Sequence, residues 1–427
     1  MGHLAHVKHL PIPRRSLRSL DVALRDPVTC IYLARALRDF GDGFVAVLLP
    51  VYLAALGFGA LEIGVAATLA LAGSALMTLG TGLAGARADQ RTLLLAASCL
   101  MAATGLAFAA SSAVAVVLLI ALVGTVNPSS GSVSVFVPLE HAVLSRAVPD
   151  AERTRMFARY GLIGALAAAV GAFAAATPDA LAALGWSRLG ALRAMFVVYA
   201  LLGVAGGLAY ARIPRSEAPP AEAPPAAVLG PSRGIVYKLA ALFSIDAFAG
   251  GFAVQSLMAL WLFSKFGLSL AAAGLFFFWS GVLAAFSFPV AAWLAKRIGL
   301  VNTMVWTHIP SNVCLVLAAV APTLELALAL LLVRSALSQM DVPTRSSYVM
   351  AVVTPPERPA AASVTSVPRS LASAASPALA GALLDAGLLA WPLVICGVLK
   401  LLYDGALLWA FAHLKPPEER APGVPES

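Results

Sequence analysis

The chain has 427 residues, of which 60% are hydrophobic and only 12% charged, and its net charge is +8. A soluble domain carries about a quarter charged residues, so this composition excludes an ordinary soluble fold and places much of the surface against lipid. The positive charge sits in short segments between apolar runs, where it orients a membrane protein rather than binding nucleic acid.

In chain order, residues 1–28 form a basic tail. Pro11 and Pro13 interrupt it, and it lacks the compact apolar core of a cleaved signal peptide. The first membrane helix is therefore expected to act as its own uncleaved signal. Apolar runs bounded by charge, Pro or Gly then predict twelve helices, at 29–56, 61–84, 92–111, 114–142, 156–176, 191–211, 236–264, 270–294, 301–320, 324–350, 361–386 and 391–412. Residues 213–234, IPRSEAPPAEAPPAAVLGPSRG, break the pattern and read as a solvated linker. The expected division is a six-helix half at 29–212, the linker at 213–234, a second half at 235–412 and a cytoplasmic tail at 413–427. Lys and Arg gather in the segments that are inside when both termini are cytoplasmic. The outside segments keep only Arg188, Arg193 and Lys265. The expectation is a multi-pass protein of a bacterial-type cytoplasmic membrane.

The two halves echo each other. Val137-Pro138 and Glu152-Arg153 recur 205 positions later as Val342-Pro343 and Glu357-Arg358. Phe40-Gly41-Asp42-Gly43-Phe44 is answered by Phe248-Ala249-Gly250-Gly251-Phe252, and the loop after Leu83 by the loop after Leu294. A duplicated membrane unit is how many secondary transporters are built, with substrate between the repeats.

Ionisable residues within the spans are the functional candidates. On the first helix Arg35 and Asp39, and Arg38 and Asp42, are spaced i,i+4 on one face. Asp42, flanked by Gly41 and Gly43, and Asp39 are candidates for a proton site or a substrate anchor, against the plainer reading of a self-neutralised structural pair. Burial favours the neutral acid and a nearby guanidinium the carboxylate, so conformation can tip the balance. On the tenth helix Asp341 and Arg345 repeat the spacing, and Arg334 has no local carboxylate. Arg334 is a candidate to hold an anionic cargo or to pair with Asp42. Asp246, Arg369 and the Lys400/Asp404 i,i+4 pair are also embedded, the last expected to neutralise itself. Glu140 occupies the repeat position of Arg345, so the two are expected to form a gate pair between the halves. His141 and His308 are expected to be packing residues. Asn127, Ser129, Ser130 and Ser132 on the fourth helix are cavity candidates, with Pro128 and Gly131 softening it. Gln255, Trp261 and Phe276–Trp279 are cavity or packing candidates. Cys30, Cys99, Cys314 and Cys396 have no ligand or disulfide spacing. Neither a metal nor a cofactor is expected.

The segment GLAGARADQR (82–91) and its echo WLAKRIG (293–299) resemble the two-three and eight-nine loop motif of the major facilitator superfamily (MFS). Gly82, Arg87, Arg91, Lys296, Arg297 and Gly299 occupy its positions, while Gly85 and Lys296 stand where the family has an acid. The stretches SQMDVPTRSSYVMAVV (338–353) and PPERPAAASVTSVPRSLA (355–372) resemble a prokaryotic branch associated with drug or metabolite efflux. This resemblance implies an all-α membrane protein of twelve helices in two pseudo-symmetric bundles. It implies a proton-coupled secondary transporter that exports small organic compounds as a monomer. A lipid or lysolipid flippase, or a uniporter or symporter on the same fold, is the alternative. No GxxxxGK[ST], HExxH or GxSxG string occurs, so an ATP-driven pump or an intramembrane enzyme is not expected.

Overall fold

The computed structural model describes residues 26–84, 89–129, 134–147, 150–215 and 229–414, and these form seventeen α-helices. In the first half they are α1 (Pro27–Ala55), α2 (Ala60–Ala84), α3 (Gln90–Ala110), α4 (Val114–Val123), α5 (Phe136–Ala147), α6 (Asp150–Ala174), α7 (Thr177–Ala183) and α8 (Arg188–Tyr210). In the second half they are α9 (Arg233–Gly251), α10 (Gln255–Phe266), α11 (Leu270–Ile298), α12 (Leu300–Val320), α13 (Leu324–Ser338), α14 (Asp341–Ala351), α15 (Arg358–Ala375), α16 (Pro377–Asp385) and α17 (Trp391–Phe411). Most of the expected linker lies outside the described residues.

Local chemistry sets several starts. Asp26 accepts from the backbone N–H of Thr29 at 3.1 Å, with Pro27 pre-set at the first helical position of α1. Asp89, Ser187, Ser269 and Thr323 cap α3, α8, α11 and α13 in the same way. At the far end of the bundle, Lys265 donates to the carbonyls of Ala319 and Ala321 at 2.8 and 3.0 Å, satisfying the open end of α12.

Four spans are broken where one helix each was expected. The fourth splits into α4 and α5, the seventh into α9 and α10, the tenth into α13 and α14, and the eleventh into α15 and α16. In the fourth span Gly124 turns extended and Pro128 offers no N–H, so the polar run bonds to itself. The Ser129 amide donates to Asn127 Oδ1 at 2.8 Å. At the tenth, the Thr344 hydroxyl bonds the carbonyls of Met340 and Asp341, each at 3.0 Å, and so repairs the gap.

Among the described residues nine segments are long and apolar enough to cross a bilayer. The other three spans are α1, which carries four ionisable residues, the broken α4–α5, and α15–α16 with its serine-rich face. Large apolar side chains such as Leu119, Leu201, Leu208, Trp306 and Trp409 stand exposed around the outside, as a lipid-facing surface requires.

The halves meet through α2 against α16, α6 against α11, and α1 against α10. The α2–α16 crossing is close because it is glycine on glycine: a Cβ on Gly64 would stand 2.8 Å from Gly381 Cα. Nearby, the Ala378 amide donates to Thr68 Oγ1 at 3.0 Å. These contacts lie toward the end of the bundle away from the chain termini, so the halves are closed there.

Candidate functional site

Residues 35, 38, 39 and 42 form one stripe on α1, and the helices around that stripe supply its partners. Arg35 Nε lies 2.7 Å from Asp39 Oδ2, and its guanidinium stacks over the Tyr160 ring at 4.6 Å. Arg38 turns toward Glu140 and holds it with both terminal nitrogens, at 2.9 and 3.0 Å. This is a bidentate pair, fully buried, and the strongest carboxylate geometry a guanidinium can make. The Tyr160 and Tyr210 hydroxyls also donate to Glu140, so its remaining lone pairs are satisfied. Glycine makes room for this cluster on α6. A Cβ on Gly164 would fall 2.4 Å from Asp39 Oδ2, and one on Gly43 of α1 would fall 2.1 Å from the Ala168 carbonyl oxygen.

Asp42 differs from its neighbours. It is buried near the middle of the span, and no cation among the described residues reaches ion-pair distance. Its contact is the Tyr199 hydroxyl, at 3.3 Å. Arg38, expected to pair with Asp42, is taken by Glu140 because that carboxylate can face both guanidinium nitrogens at once. Tyr199 also bonds the Thr125 carbonyl and hydroxyl, each at 3.2 Å, which ties Asp42 to the break in the fourth span. The Ser256 amide, at the break in the seventh span, donates to the Pro128 carbonyl at 3.1 Å. Asn127 is buried within the first of these breaks, and Gln255 stands at the start of α10 beside Ser256.

The second half has its own buried network. Arg345 reaches Asp341 at 3.0 Å and Asp246 at 3.2 Å, and Lys400 also donates to Asp246. His308 Nδ1 lies 2.8 Å from Asp404 Oδ1, while Asn312 donates to Asp404 Oδ2 at 3.0 Å. The expected Lys400–Asp404 pair is therefore not formed. Each member leaves its own helix, Lys400 for α9 and Asp404 for α12. His308 is a member of a charge network and more than a packing residue.

The expected Glu140–Arg345 gate pair is not formed either. Glu140 is bound to Arg38 and Arg345 to Asp246. The repeat explains why. Position 38 corresponds to 246 by the Phe40/Phe248 echo, and 140 corresponds to 345 by the Val-Pro echo. The same two positions are paired in both halves, with the charges exchanged.

Arg334 on α13 and Arg369 on α15 make no hydrogen bond or ion pair through their guanidinium groups to any described residue. Arg334 does not pair with Asp42. Of the loop motif, Gly82 lies in the last turn of α2 and Arg91 in the first turn of α3, while Arg87 lies outside the described residues. Lys296 and Arg297 are exposed at the end of α11, with Arg297 over the Trp293 ring at 4.3 Å, and Gly299 caps that helix. A concavity of about 550 Å³ between α9 and α17 is apolar and bordered by Leu242, Ile245, Phe248, Leu399 and Leu402. It lacks converging charged groups and is not the candidate site.

The family model of the major facilitator superfamily matches residues 31–337 and 239–427. The chain belongs to the major facilitator superfamily. It is thus a multi-pass membrane transporter, not an enzyme. An uncharacterised membrane protein of Saccharomyces cerevisiae is 22% identical, over 91% of this chain and 94% of that one. Among solved structures, an inward-facing, occupied bacterial homologue of the human lysosomal transporter Spinster superposes with a TM-score of 0.70 at 16% identity, covering 94% of this chain and 97% of its own. The nucleoside transporter NupG gives 0.64 at 15% identity, with 91% and 98% covered. The human organic anion transporter MFSD10 gives 0.63 at 18% identity, with 90% and 99% covered. At these identities the likeness is one of fold: twelve spans in two pseudo-symmetric six-helix bundles.

Proposed function

We propose that this MFS protein is a proton-coupled secondary transporter that exports small organic compounds, with Asp42 as the carboxylate that takes and releases the proton. The observation that carries this reading is the isolation of Asp42. Asp39, Glu140, Asp246, Asp341 and Asp404 each have a cation or an imidazole within ion-pair distance, whereas Asp42 has a phenol. Among the described residues of the first half, the fully buried arginines and carboxylates are Arg35 and Arg38 against Asp39, Asp42 and Glu140, an excess of one negative charge that a proton would cancel. Coupling to the second half has a physical route. Asp42 bonds Tyr199, Tyr199 bonds Thr125, and the break that Thr125 begins is bonded through Pro128 to Ser256. A change of charge on Asp42 alters what Tyr199 must donate to, and with it the fit of the broken spans between the halves.

The halves rock about this junction, the basic short segments keep both termini cytoplasmic, and one chain works as a monomer because it holds both walls of the pathway. The division at the 213–234 linker belongs to the same reading. The test is proton release from energised inside-out vesicles, followed with a pH-sensitive dye while organic cations, anions and neutral compounds are added. A compound-dependent proton leak that Asp42→Asn abolishes, at equal expression, supports the reading. A leak unchanged in Asp42→Asn removes Asp42 from the coupling path. No leak with any compound favours uniport, symport or a lipid cargo.

A further inference from the structure

Asp42 is not the only buried group in the protein that can change charge. His308 on α12 is buried, and its two ring nitrogens lie against carboxylates of two other helices. Nδ1 is 2.8 Å from Asp404 Oδ1 on α17, and Nε2 is 4.0 Å from Asp246 Oδ1 on α9. Of the other described histidines, His413 is exposed, and His141 stands edge-on to the rings of Phe157 and Tyr160 at 4.7 and 5.0 Å. The levels of His308 and Asp404 agree. By helix rise, His308 lies about 12 Å from the start of α12 and Asp404 about 11 Å from the end of α17, and both helix ends face the side of the chain termini.

The hydrogen bonds fix where the first proton sits. A contact of 2.8 Å between a ring nitrogen and a carboxylate oxygen holds one proton. Asp404 Oδ2 already accepts from Asn312 at 3.0 Å, so Asp404 is held as a carboxylate and His308 donates from Nδ1. The Nε2 lone pair is then left facing Asp246. At 4.0 Å the gap is too long for a hydrogen bond, but within ion-pair distance once Nε2 carries a proton. A histidine kept only for packing gains nothing from a lone pair that faces a carboxylate, because the two repel. A proton on Nε2 turns the repulsion into attraction. The charged neighbours meet at the same carboxylate. Asp246 also takes Lys400 of α17 on Oδ1 and Arg345 of α14 on Oδ2, and Arg345 reaches Asp341. Arg334 of α13 and Arg369 of α15 act on Asp246 at longer range, and the Tyr403 ring of α17 stands 6.1 Å from the imidazole. The cations bear on the ring through Asp246, which they share with it.

We infer that His308 is a second proton-binding site of this protein: Nε2 takes a proton from water, and the imidazolium is held between Asp404 and Asp246. The site lies in the half opposite Asp42 and stands apart from the transport reading above. The proton also has a mechanical consequence, because it adds a third cation to a carboxylate that Arg345 and Lys400 already share. Asp246 lies on α9 and Arg345 on α14, which are pieces of two broken spans. The charge on His308 therefore bears on how these two pieces hold together.

The test follows the imidazole itself. Purified full-length protein labelled with nitrogen-15 in its histidine rings is observed by NMR from about pH 8 down to 5. The His308 signal is the one that His308→Gln removes. Should that variant not fold, a chain carrying His3→Gln, His6→Gln, His9→Gln, His141→Gln and His413→Gln keeps His308 as its only imidazole and serves the same purpose. In wild type, Nδ1 should stay protonated throughout, and Nε2 should pass from bare to protonated as pH falls. Asp246→Asn should weaken proton binding at Nε2 about tenfold or more, because it removes the facing negative charge. Where that variant does not fold, Asp404→Asn makes the same test from the Nδ1 side. Asp42→Asn should leave the His308 titration unchanged. An Nε2 that stays bare over the whole range, or protonated over the whole range, overturns the inference. So does a titration indifferent to loss of the facing carboxylate, or one that Asp42→Asn moves as far. A proton leak that Asp42→Asn does not alter would remove the transport reading and leave this site standing.

Discussion

The two halves solve one problem with opposite signs. In the first, a cation on the opening helix, Arg38, holds a carboxylate, Glu140, and two tyrosines complete the carboxylate's shell. In the second, the corresponding positions carry Asp246 and Arg345, and the carboxylate is held by Lys400 as well. The first network leaves one carboxylate, Asp42, without a cation. The second leaves two arginines without a carboxylate. Duplication thus produced two frames in which the same pair of positions is bridged with the charges exchanged.

The comparison breaks most visibly at the closed pairs. Glu140→Ala or Arg38→Met leaves a buried charge stranded and should cost about 3–5 kcal/mol, measured by denaturant unfolding in mixed micelles. Arg345→Met should cost less, since Lys400 remains on Asp246. The exchange Arg38→Glu with Glu140→Arg gives the first half the charge order of the second and should recover part of the loss. No recovery would mean that the tyrosines, rather than the ion pair, set the geometry.

Packing gives the next effect. Gly43→Ala places a methyl group against the Ala168 carbonyl and should cost about 1–3 kcal/mol, with α1 and α6 forced apart. Gly161→Ala meets nothing within 4 Å, and the same measurement should find it neutral or slightly stabilising.

The smallest effect is outside the membrane. Glu357 accepts from the Ser232 hydroxyl at 2.7 Å and from the Gly230 and Ser232 amides, pinning the described end of the linker to the turn before α15. These hydrogen bonds, led by those from the Thr354 and Ser232 hydroxyls, lower its carboxyl to about 2. Its stabilisation is present above the unfolded value of about 4.3 and disappears as pH falls through about 2. Glu357→Gln should flatten the stability profile over that window and lower stability above it, near neutrality included.

Much of this was readable in the chain. Apolar run length located the spans, and the Val-Pro and Glu-Arg echoes located the repeat. Spacing on one helix was a good guide where both partners lay on that helix, as for Arg35–Asp39 and Asp341–Arg345. It failed wherever a partner on another helix offered better geometry. Arg38 left Asp42 for Glu140, and Lys400 left Asp404 for Asp246. The Glu140–Arg345 expectation erred differently: a repeat identifies equivalent positions, and equivalent residues occupy the same place in different halves rather than touching. Tyr160, Tyr199, Tyr210 and His308 were missed as partners because a hydroxyl or imidazole in an apolar run carries no sign of what it reaches. The signal available was that each, once buried, needs a partner at all. The break at Gly124 had a signal in Pro128, read only as softening the helix, while the break at Ser376 was hidden because the flanking residues are small on both sides.

The most direct measurement of the central claim compares two modes of movement in proteoliposomes, using a compound that evokes the proton leak. Wild type should concentrate it against its gradient when a proton gradient is imposed, and should also exchange labelled for unlabelled compound without one. Asp42→Asn should keep the exchange and lose the gradient-driven accumulation. Accumulation by Asp42→Asn equal to that of wild type would contradict the account.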